Sequence, residues 1–237
     1  KISKTDAYEK KLNQYNTIFL NMQEFLSQTS SMEEMMRLVK KSVLWDLFFE
    51  YPDINYFDKE NFSRAMQDVY QQTKCPFVII IDEWDCIFRE YKSDKEAQEQ
   101  YLDFLRDFLK DKSYIHLAYM TGILPIKKYG SHSALNMFSE YSMLNPREMA
   151  EFFGFTEKEV FQALEMFEMG DQREKVKTWY DGFTFGKHKD IYNPWSITNY
   201  LKEKKLRPYW ADTSSNGLAG KLIRTASPEI KEYMEDL

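Results

Sequence analysis

The sequence has few residues of the kinds that form disulfides or bind transition metals, with two cysteines and three histidines among 237 residues. Cys75 and Cys86 each lie in or beside an apolar stretch without a CxxC partner, so we expect two reduced, buried thiols in a cytoplasmic protein. His116, His132 and His188 are far apart, and no pair has the i, i+4 spacing that places two imidazoles on one helix face. A zinc site therefore has little support.

Long apolar runs and an excess of basic charge are also missing. No run approaches the roughly 20 residues that cross a membrane, and no signal peptide is visible, so we expect no membrane partner. The 38 acidic side chains outnumber the 32 basic ones, which argues against generic nucleic-acid binding because an acidic surface repels phosphates. With 43% hydrophobic residues the chain can form a core, in one large domain or two small ones.

The sequence contains no Walker A loop. Such a loop needs Gly, four residues and then Gly-Lys-Ser/Thr, so that backbone N–H groups can surround phosphates. Residues 217–221 come nearest, but their spacing is wrong and Leu222 stands where a hydroxyl is required. The chain does not begin with Met and opens in polar sequence, so we expect a fragment of a longer protein.

What is present is an alternation of strands and helices typical of an α/β domain. Residues 77–81 (Phe-Val-Ile-Ile-Ile) are short, apolar and β-branched, as in a central parallel strand that is buried on both faces. Further strands are predicted at residues 17–22 and 115–120, and helices from Ser31, over about residues 59–72 and over 94–109. The order strand, helix, strand predicts a βαβ unit.

The pattern changes after about residue 150. Residues 156–159 form a capping box that opens a helix. Helix starts with proline at the first position are predicted at Asn145-Pro146, Asn193-Pro194 and Ser227-Pro228, and a turn with a short hairpin at residues 179–186. We therefore predict an α/β domain with a parallel sheet over residues 1–150. A mainly helical domain should follow over residues 151–237, with a winged helix and a lid as the alternatives.

The strongest chemical signal is the pair Asp82-Glu83, which directly follows the apolar strand. Ligands of open α/β sheets bind at the carboxyl ends of the strands. In P-loop enzymes the first such acid holds Mg²⁺, and the second orients and deprotonates the attacking water. Since Mg²⁺ accepts one or two carboxylates plus waters and phosphates, one aspartate suffices. The same pattern also fits a buried strand that leaves the core through a polar turn.

Three further positions have alternative interpretations. Thr121 ends the next predicted strand, where its hydroxyl could contact a γ-phosphate as sensor 1, although Thr-Gly also simply ends a strand. Arg147 is a candidate arginine finger or a solvated residue in a first helical turn. Residues 90–92 (Glu-Tyr-Lys) follow Asp82 as in PD-(D/E)xK nucleases, but they fall in a predicted helix or turn rather than on a strand.

Several separated strings, in this order, resemble the bacterial AAA-ATPase-like family, a group of P-loop ATPases often followed by a PD-(D/E)xK nuclease-like domain. The resemblance covers roughly residues 15–224. The strings are residues 79–85 (Ile-Ile-Ile-Asp-Glu-Trp-Asp), 121–130, 153–156, 179–183, 192–196 and 209–210.

The resemblance implies that residues 1–150 are a P-loop NTPase-type parallel sheet, as a partial core without its Walker A segment. It also implies that Asp82 is the magnesium ligand, Glu83 the catalytic acid and Thr121 the sensor, all three lining a nucleotide site. It implies ATP and Mg²⁺ as cofactors of the full-length protein, a Walker A segment upstream of residue 1 and a fused or associated nuclease-like domain beyond residue 237. ATP binding and hydrolysis are then expected, and a non-catalytic interaction or regulatory module with the same fold is the alternative. Apolar surface near the cut makes self-association an expectation.

We predict that this 237-residue chain alone binds ATP more weakly than micromolar. Most of the affinity for phosphates comes from the loop amides and the lysine, and two carboxylates alone repel a nucleotide. Titration calorimetry measures this directly, and micromolar binding would overturn the prediction.

Overall fold

The computed structural model describes residues 2–126, 135–210 and Ser227. The chain divides into two compact units, Lys1–Glu140 and Tyr141–Leu237. The division therefore lies at residue 140, ahead of the position near residue 150 that the sequence predicts. The assignment of the two parts as an ATPase core and a lid stays a prediction.

The N-terminal unit is an α/β domain with a parallel sheet, as predicted. Its strands are β1 (Asn16–Asn21), β2 (Phe77–Asp82) and β3 (Ile115–Met120). Its helices are α1 (Ala7–Lys11), α2 (Met22–Ser27), α3 (Met32–Glu50), α4 (Phe62–Thr73), α5 (Cys86–Glu90) and α6 (Lys95–Leu109), with a 3₁₀ turn at Ile2–Lys4.

Side-chain caps set where the long helices begin. Ser31 and Asp94 each accept a hydrogen bond from the backbone N–H three residues on, which confirms the predicted starts of α3 and α6. Asn61 caps α4 in the same way, so that helix begins at residue 62 and not near residue 59. The delay has a local cause, because Asp58 Oδ1 accepts from the N–H groups of Glu60 and Asn61 and holds this stretch in a turn.

The sheet has the order β1-β2-β3, with both pairs parallel. On one face Phe77, Ile79 and Ile81 are buried in the core that α3, α4 and α6 complete. The other face carries Phe19, Leu117 and Tyr119 with 61%, 52% and 48% of their surface exposed. Burial of β2 on both faces, as its apolar sequence predicts, is therefore wrong for the described residues, because no described helix of this unit covers the second face.

The two cysteines differ in environment. Cys86 is buried at the start of α5, and burial raises the pKa of its thiol to about 12. Cys75 precedes β2 and is partly exposed, so its predicted burial is wrong. Both are free thiols, as the sequence predicts.

The C-terminal unit combines helices with a small antiparallel sheet of order β4-β6-β5. Its elements are a 3₁₀ helix (Arg147–Phe152), β4 (Phe155–Thr156), α7 (Glu157–Met166), a 3₁₀ turn (Gly170–Gln172), α8 (Arg173–Tyr180), β5 (Asp181–Phe185), β6 (His188–Tyr192) and α9 (Pro194–Glu203). The predicted mainly helical character is present in the described residues of this unit, and the choice between a winged helix and a lid stays a prediction. None of the described helices in either unit is long and apolar enough to cross a membrane.

Two of the predicted helix starts in this unit are confirmed. Thr156 and Glu159 form the reciprocal capping box that opens α7. Asn193 accepts from the N–H of Ser196 and places Pro194 in the first turn of α9.

The start predicted at Asn145-Pro146 is wrong. Pro146 precedes a 3₁₀ helix and has no side-chain cap. Asn145 and Ser142 exchange two backbone hydrogen bonds, which commits Asn145 to a tight turn and not to a helix cap. The third predicted start, at residues 227–228, lies outside the described residues except for Ser227 itself.

A group of charged side chains joins α7, α8 and the hairpin. Lys177 Nζ lies 2.6 Å from a Glu157 oxygen and 3.5 Å from an Asp190 oxygen. Burial, a hydrogen bond with Asp190 and that residue's charge together raise the pKa of Asp181. The hydroxyl of Tyr192 is buried beside this group without a hydrogen-bond partner among the described residues.

We predict that Asp181→Asn stabilises the protein at neutral pH. A carboxyl group whose pKa rises on folding favours the protonated form, so its stabilisation is complete below the ordinary aspartate pKa of about 3.9 and is lost as the pH rises through the folded value. The melting temperature should therefore fall less between about pH 4 and about pH 7 in the variant than in the wild type. The control is Asp171→Asn, an exposed carboxylate of the same unit. An unchanged slope in Asp181→Asn would contradict the assignment.

Candidate functional site

The carboxyl edge of the parallel sheet brings polar side chains from neighbouring strands together. Asp82 ends β2, in register with Asn21 at the end of β1. Thr121 directly follows β3, and its N–H donates to the carbonyl of Ile81 at 2.9 Å. The Thr121 hydroxyl donates to Asp82 Oδ1. The structure therefore places two of the three predicted site residues in direct contact.

The third, Glu83, adopts an unusual backbone conformation. Its φ of 55° lies in the left-handed region, which is uncommon for a residue with a side chain and is costly unless its surroundings hold it. The N–H of Glu83 donates to Asp82 Oδ1 at 3.0 Å. The N–H of Trp84 donates to the Thr121 carbonyl at 3.0 Å, which fixes the other side of the turn. The chain therefore turns sharply at Glu83, directly after the strand that ends in Asp82.

Helix α6 holds this turn in place through Tyr101. The hydroxyl of Tyr101 is buried and donates to the carbonyl of Trp84 at 2.7 Å. Burial raises the pKa of the Tyr101 phenol well above its ordinary value, so the hydroxyl stays protonated and remains a donor. The Trp84 ring packs on Phe88, with ring centroids 5.4 Å apart. The position of the acids is thus tied to the hydrophobic core.

Asp85 ties the same turn to the segment after β3. Its side chain is fully buried, and its Oδ2 accepts from the N–H groups of Ile123 at 3.2 Å and Leu124 at 2.9 Å. Its Oδ1 is buried without a hydrogen-bond partner among the described residues. Arg89 Nε lies 3.5 Å from Oδ2. A buried carboxylate needs such partners, because an isolated one costs several kcal/mol, on the order of 5 or more, to remove from water.

Arg89 also reaches the predicted catalytic acid. Its Nη2 donates to Glu83 Oε2, in an ion pair in which the Arg89 side chain is 25% exposed and the Glu83 side chain 36%. Arg89 thus stands between Glu83 and Asp85. The sequence alone gives no role to Asp85 or Arg89. Their i, i+4 spacing, which is typical of an ion pair on a helix, is the signal that could have indicated their contact.

Position 122 needs a glycine because the side chains of Asp85 and Trp84 lie close to its backbone. A Cβ atom at this position would lie 2.5 Å from Asp85 Oδ1 and 2.6 Å from Trp84 Cδ1. Both atoms belong to buried side chains that hydrogen bonds and packing hold in place. The Thr-Gly pair that follows β3 therefore has a packing reason of its own.

Oxygen donors at this edge suit Mg²⁺. Asp82 Oδ1 is engaged by the Glu83 amide and the Thr121 hydroxyl, while Oδ2 has no hydrogen bond to a described residue. Asp82 is partly exposed, so a hydrated cation can approach it. Within the described residues no group of three or more His, Cys, Asp or Glu side chains could hold a metal alone.

Three other candidate positions remain. Arg147 is exposed in the C-terminal unit, at the start of the 3₁₀ helix. Glu90 ends α5 and Lys92 lies in the following turn, so the nuclease-like triplet is not on a strand. Residues 217–221 lie outside the described part of the chain.

We predict that Gly122→Ala destabilises the N-terminal unit by about 1–3 kcal/mol, the usual cost of overpacking a well-filled site. Gly182→Ala in β5 is the matched control, because an added Cβ there has no atom within 4 Å. Urea unfolding of both variants measures the difference. Equal stability in the two would show that Asp85 and Trp84 can move aside.

Comparison with known proteins gives a distant relative and a family. The chain is 23% identical over 164 residues to the "Uncharacterized protein in vnfD 5'region" of Azotobacter chroococcum mcd 1, covering 66% of this chain and 31% of that protein. No solved structure is significantly similar to the chain. A family model described as "Predicted AAA-ATPase" matches residues 1–131, which is more than half of the chain and includes Asp82, Glu83 and Thr121. The chain belongs to this AAA-ATPase-like family.

Proposed function

We propose that the protein binds ATP with Mg²⁺ and hydrolyses it at the carboxyl edge of the parallel sheet. The observation that carries the proposal is the contact between Asp82 and Thr121, which come from neighbouring parallel strands and are followed by Glu83 in a strained turn. Perturbed backbone geometry and clustered polar groups at such an edge are typical of sites that bind a ligand. Membership of the AAA-ATPase-like family supports the choice of ATP.

Asp82 would hold the cation. Its Oδ2 has no hydrogen bond to a described residue, while the Thr121 hydroxyl and the Glu83 amide fix the orientation of the carboxylate through Oδ1. When bound, Mg²⁺ neutralises the phosphate oxygens and makes the γ-phosphorus more electrophilic. Thr121 thus has two roles in the proposal. Its hydroxyl proton orients Asp82, and the lone pairs of the hydroxyl oxygen lie beside the proposed cation site.

Glu83 would be the general base. It directly follows Asp82 in the turn at φ 55°, and its side chain is 36% exposed, so water can reach it. It accepts a proton from the water whose oxygen bonds to the γ-phosphorus, while the bridging oxygen leaves with ADP. A positioned base of this kind contributes about 10²–10⁴-fold to the rate.

A non-catalytic interaction or regulatory module with this fold is the second candidate. The observation that favours it is the ion pair between Glu83 and Arg89, because a carboxylate so engaged is not free to deprotonate water. A cytoplasmic location and an association with a nuclease-like domain belong to either version of the proposal.

We predict that Glu83→Gln in the intact protein lowers kcat for ATP hydrolysis by about 10²–10⁴-fold, while ATP affinity changes little. Asp82→Asn should instead raise the Mg²⁺ concentration needed for half-maximal turnover, because it weakens the cation ligand. Phosphate release at varied ATP and Mg²⁺ measures both effects.

Glu90→Gln is the control, since Glu90 is an exposed acid at the end of the neighbouring helix α5. An unchanged rate in Glu83→Gln would refute the assignment of the base. A wild-type protein that binds ATP without hydrolysing it would favour the non-catalytic module.

A further inference from the structure

Two carboxylates share one guanidinium at the turn after β2. Arg89 Nη2 donates to Glu83 Oε2, while Arg89 Nε lies 3.5 Å from Asp85 Oδ2. At that distance Nε makes no hydrogen bond, and it is buried. Asp85 Oδ1 is also buried without a partner among the described residues. The observed arrangement therefore satisfies Glu83 and leaves two buried polar atoms, one on Arg89 and one on Asp85, without hydrogen bonds to described residues.

Asp85 needs the positive charge more than Glu83 does. Asp85 is fully buried, whereas the Glu83 side chain is 36% exposed and can be solvated by water. A guanidinium is a planar fork that satisfies one carboxylate well at a time, with two parallel N–H groups. A small rotation that brings Nε to within about 3 Å of Asp85 would replace one favourable pairing with another. A second arrangement, with Nε hydrogen-bonded to Asp85, is then open to Arg89.

We propose that Arg89 alternates between Glu83 and Asp85 and that, in the arrangement observed, it masks Glu83 as a base. This inference rests on the proposed function of Glu83. With Arg89 on Glu83, the carboxylate is occupied and water is not deprotonated. With Arg89 on Asp85, Glu83 is free and the site is competent. Arg89 is in this sense a positioning residue that acts through Glu83.

The alternation is coupled to the segment after β3. Asp85 Oδ2 already accepts from the N–H groups of Ile123 and Leu124, two and three residues beyond Thr121. Arg89 Nε lies 3.5 Å from this same oxygen, so on closing to hydrogen-bond distance it would share Oδ2 with the two amides. Movement of Arg89 toward Asp85 therefore changes the hydrogen bonds of the segment that directly follows Thr121. Groups bound at Thr121 can bias Arg89 by the same connection.

The first experiment measures turnover in the intact protein for Arg89→Lys, Arg89→Gln and the double variant Arg89→Gln/Glu83→Gln. We expect kcat to rise about threefold to tenfold in Arg89→Gln, with KM within about twofold, because the base is no longer masked. Arg89→Lys should fall between this variant and the wild type, since a single ammonium pairs with Glu83 less well than a fork. The double variant should be as slow as Glu83→Gln alone.

Arg106→Gln is the matched control, because Arg106 is a half-exposed arginine of α6 that pairs with Asp103 and Asp107. Turnover in Arg89→Gln at or below the wild-type rate would overturn the proposal. If Arg89→Gln fails to fold, as judged by its melting curve, Arg89→Lys decides, and a folded Lys variant no faster than the wild type overturns it. If Glu83→Gln itself leaves turnover unchanged, the proposed function fails and not merely the role of Arg89.

The second experiment needs no nucleotide. Glu83→Gln removes the charge that holds Arg89, so the guanidinium should move to Asp85 and its Nε–H should become hydrogen-bonded. We expect solvent exchange of the Arg89 Nε proton, followed by NMR, to slow at least severalfold in Glu83→Gln relative to the wild type. Glu90→Gln should leave it unchanged. An equal exchange rate in Glu83→Gln and the wild type would show that Arg89 has a single position.

Discussion

The buried carboxylate of Asp85 is the constraint on which the candidate site depends. A charge without solvent exposure must find donors, and it finds them in the amides of Ile123 and Leu124. These bonds join the turn after β2 to the segment after β3. The join keeps the segment after Thr121 close to the turn that follows Asp82, and it leaves no room for a side chain at Gly122. The geometry of the edge therefore depends on a residue that does not itself face solvent.

Local sequence pattern predicts most of the N-terminal unit. The β-branched run of β2 and the caps Ser31 and Asp94 act through neighbouring residues, so their effects can be recognised without a structure. The closeness of Asp82 and Thr121 is also predictable, because parallel strands end at the same edge of a sheet. Topology alone thus brings the two predicted polar groups together.

What sequence could not predict depends on distant parts of the chain. The buried carboxylate of Asp85 accepts hydrogen bonds from the amides of residues 123 and 124. No pattern in the sequence around residue 85 indicates that contact. The exposure of one face of the sheet could not be predicted either, because a strand of apolar residues has the same sequence pattern whether one or both of its faces are covered. Strand β4 has two residues, too few for alternation to be recognised. Asn145 can form a turn or cap a helix, and its two backbone hydrogen bonds with Ser142 stabilise the turn.

The burial of Trp84 gives this edge of the sheet an intrinsic optical reporter. Among the five tryptophans, Trp84 is 2% exposed, whereas Trp45, Trp179, Trp195 and Trp210 are at least 44% exposed. A polar quencher such as acrylamide reaches exposed indoles first, so the fluorescence that survives quenching comes from Trp84. Its ring borders Gly122 and Asp85, and its carbonyl holds the Tyr101 hydroxyl. The emission wavelength of this residual signal therefore follows the polarity around the turn that carries the two acids.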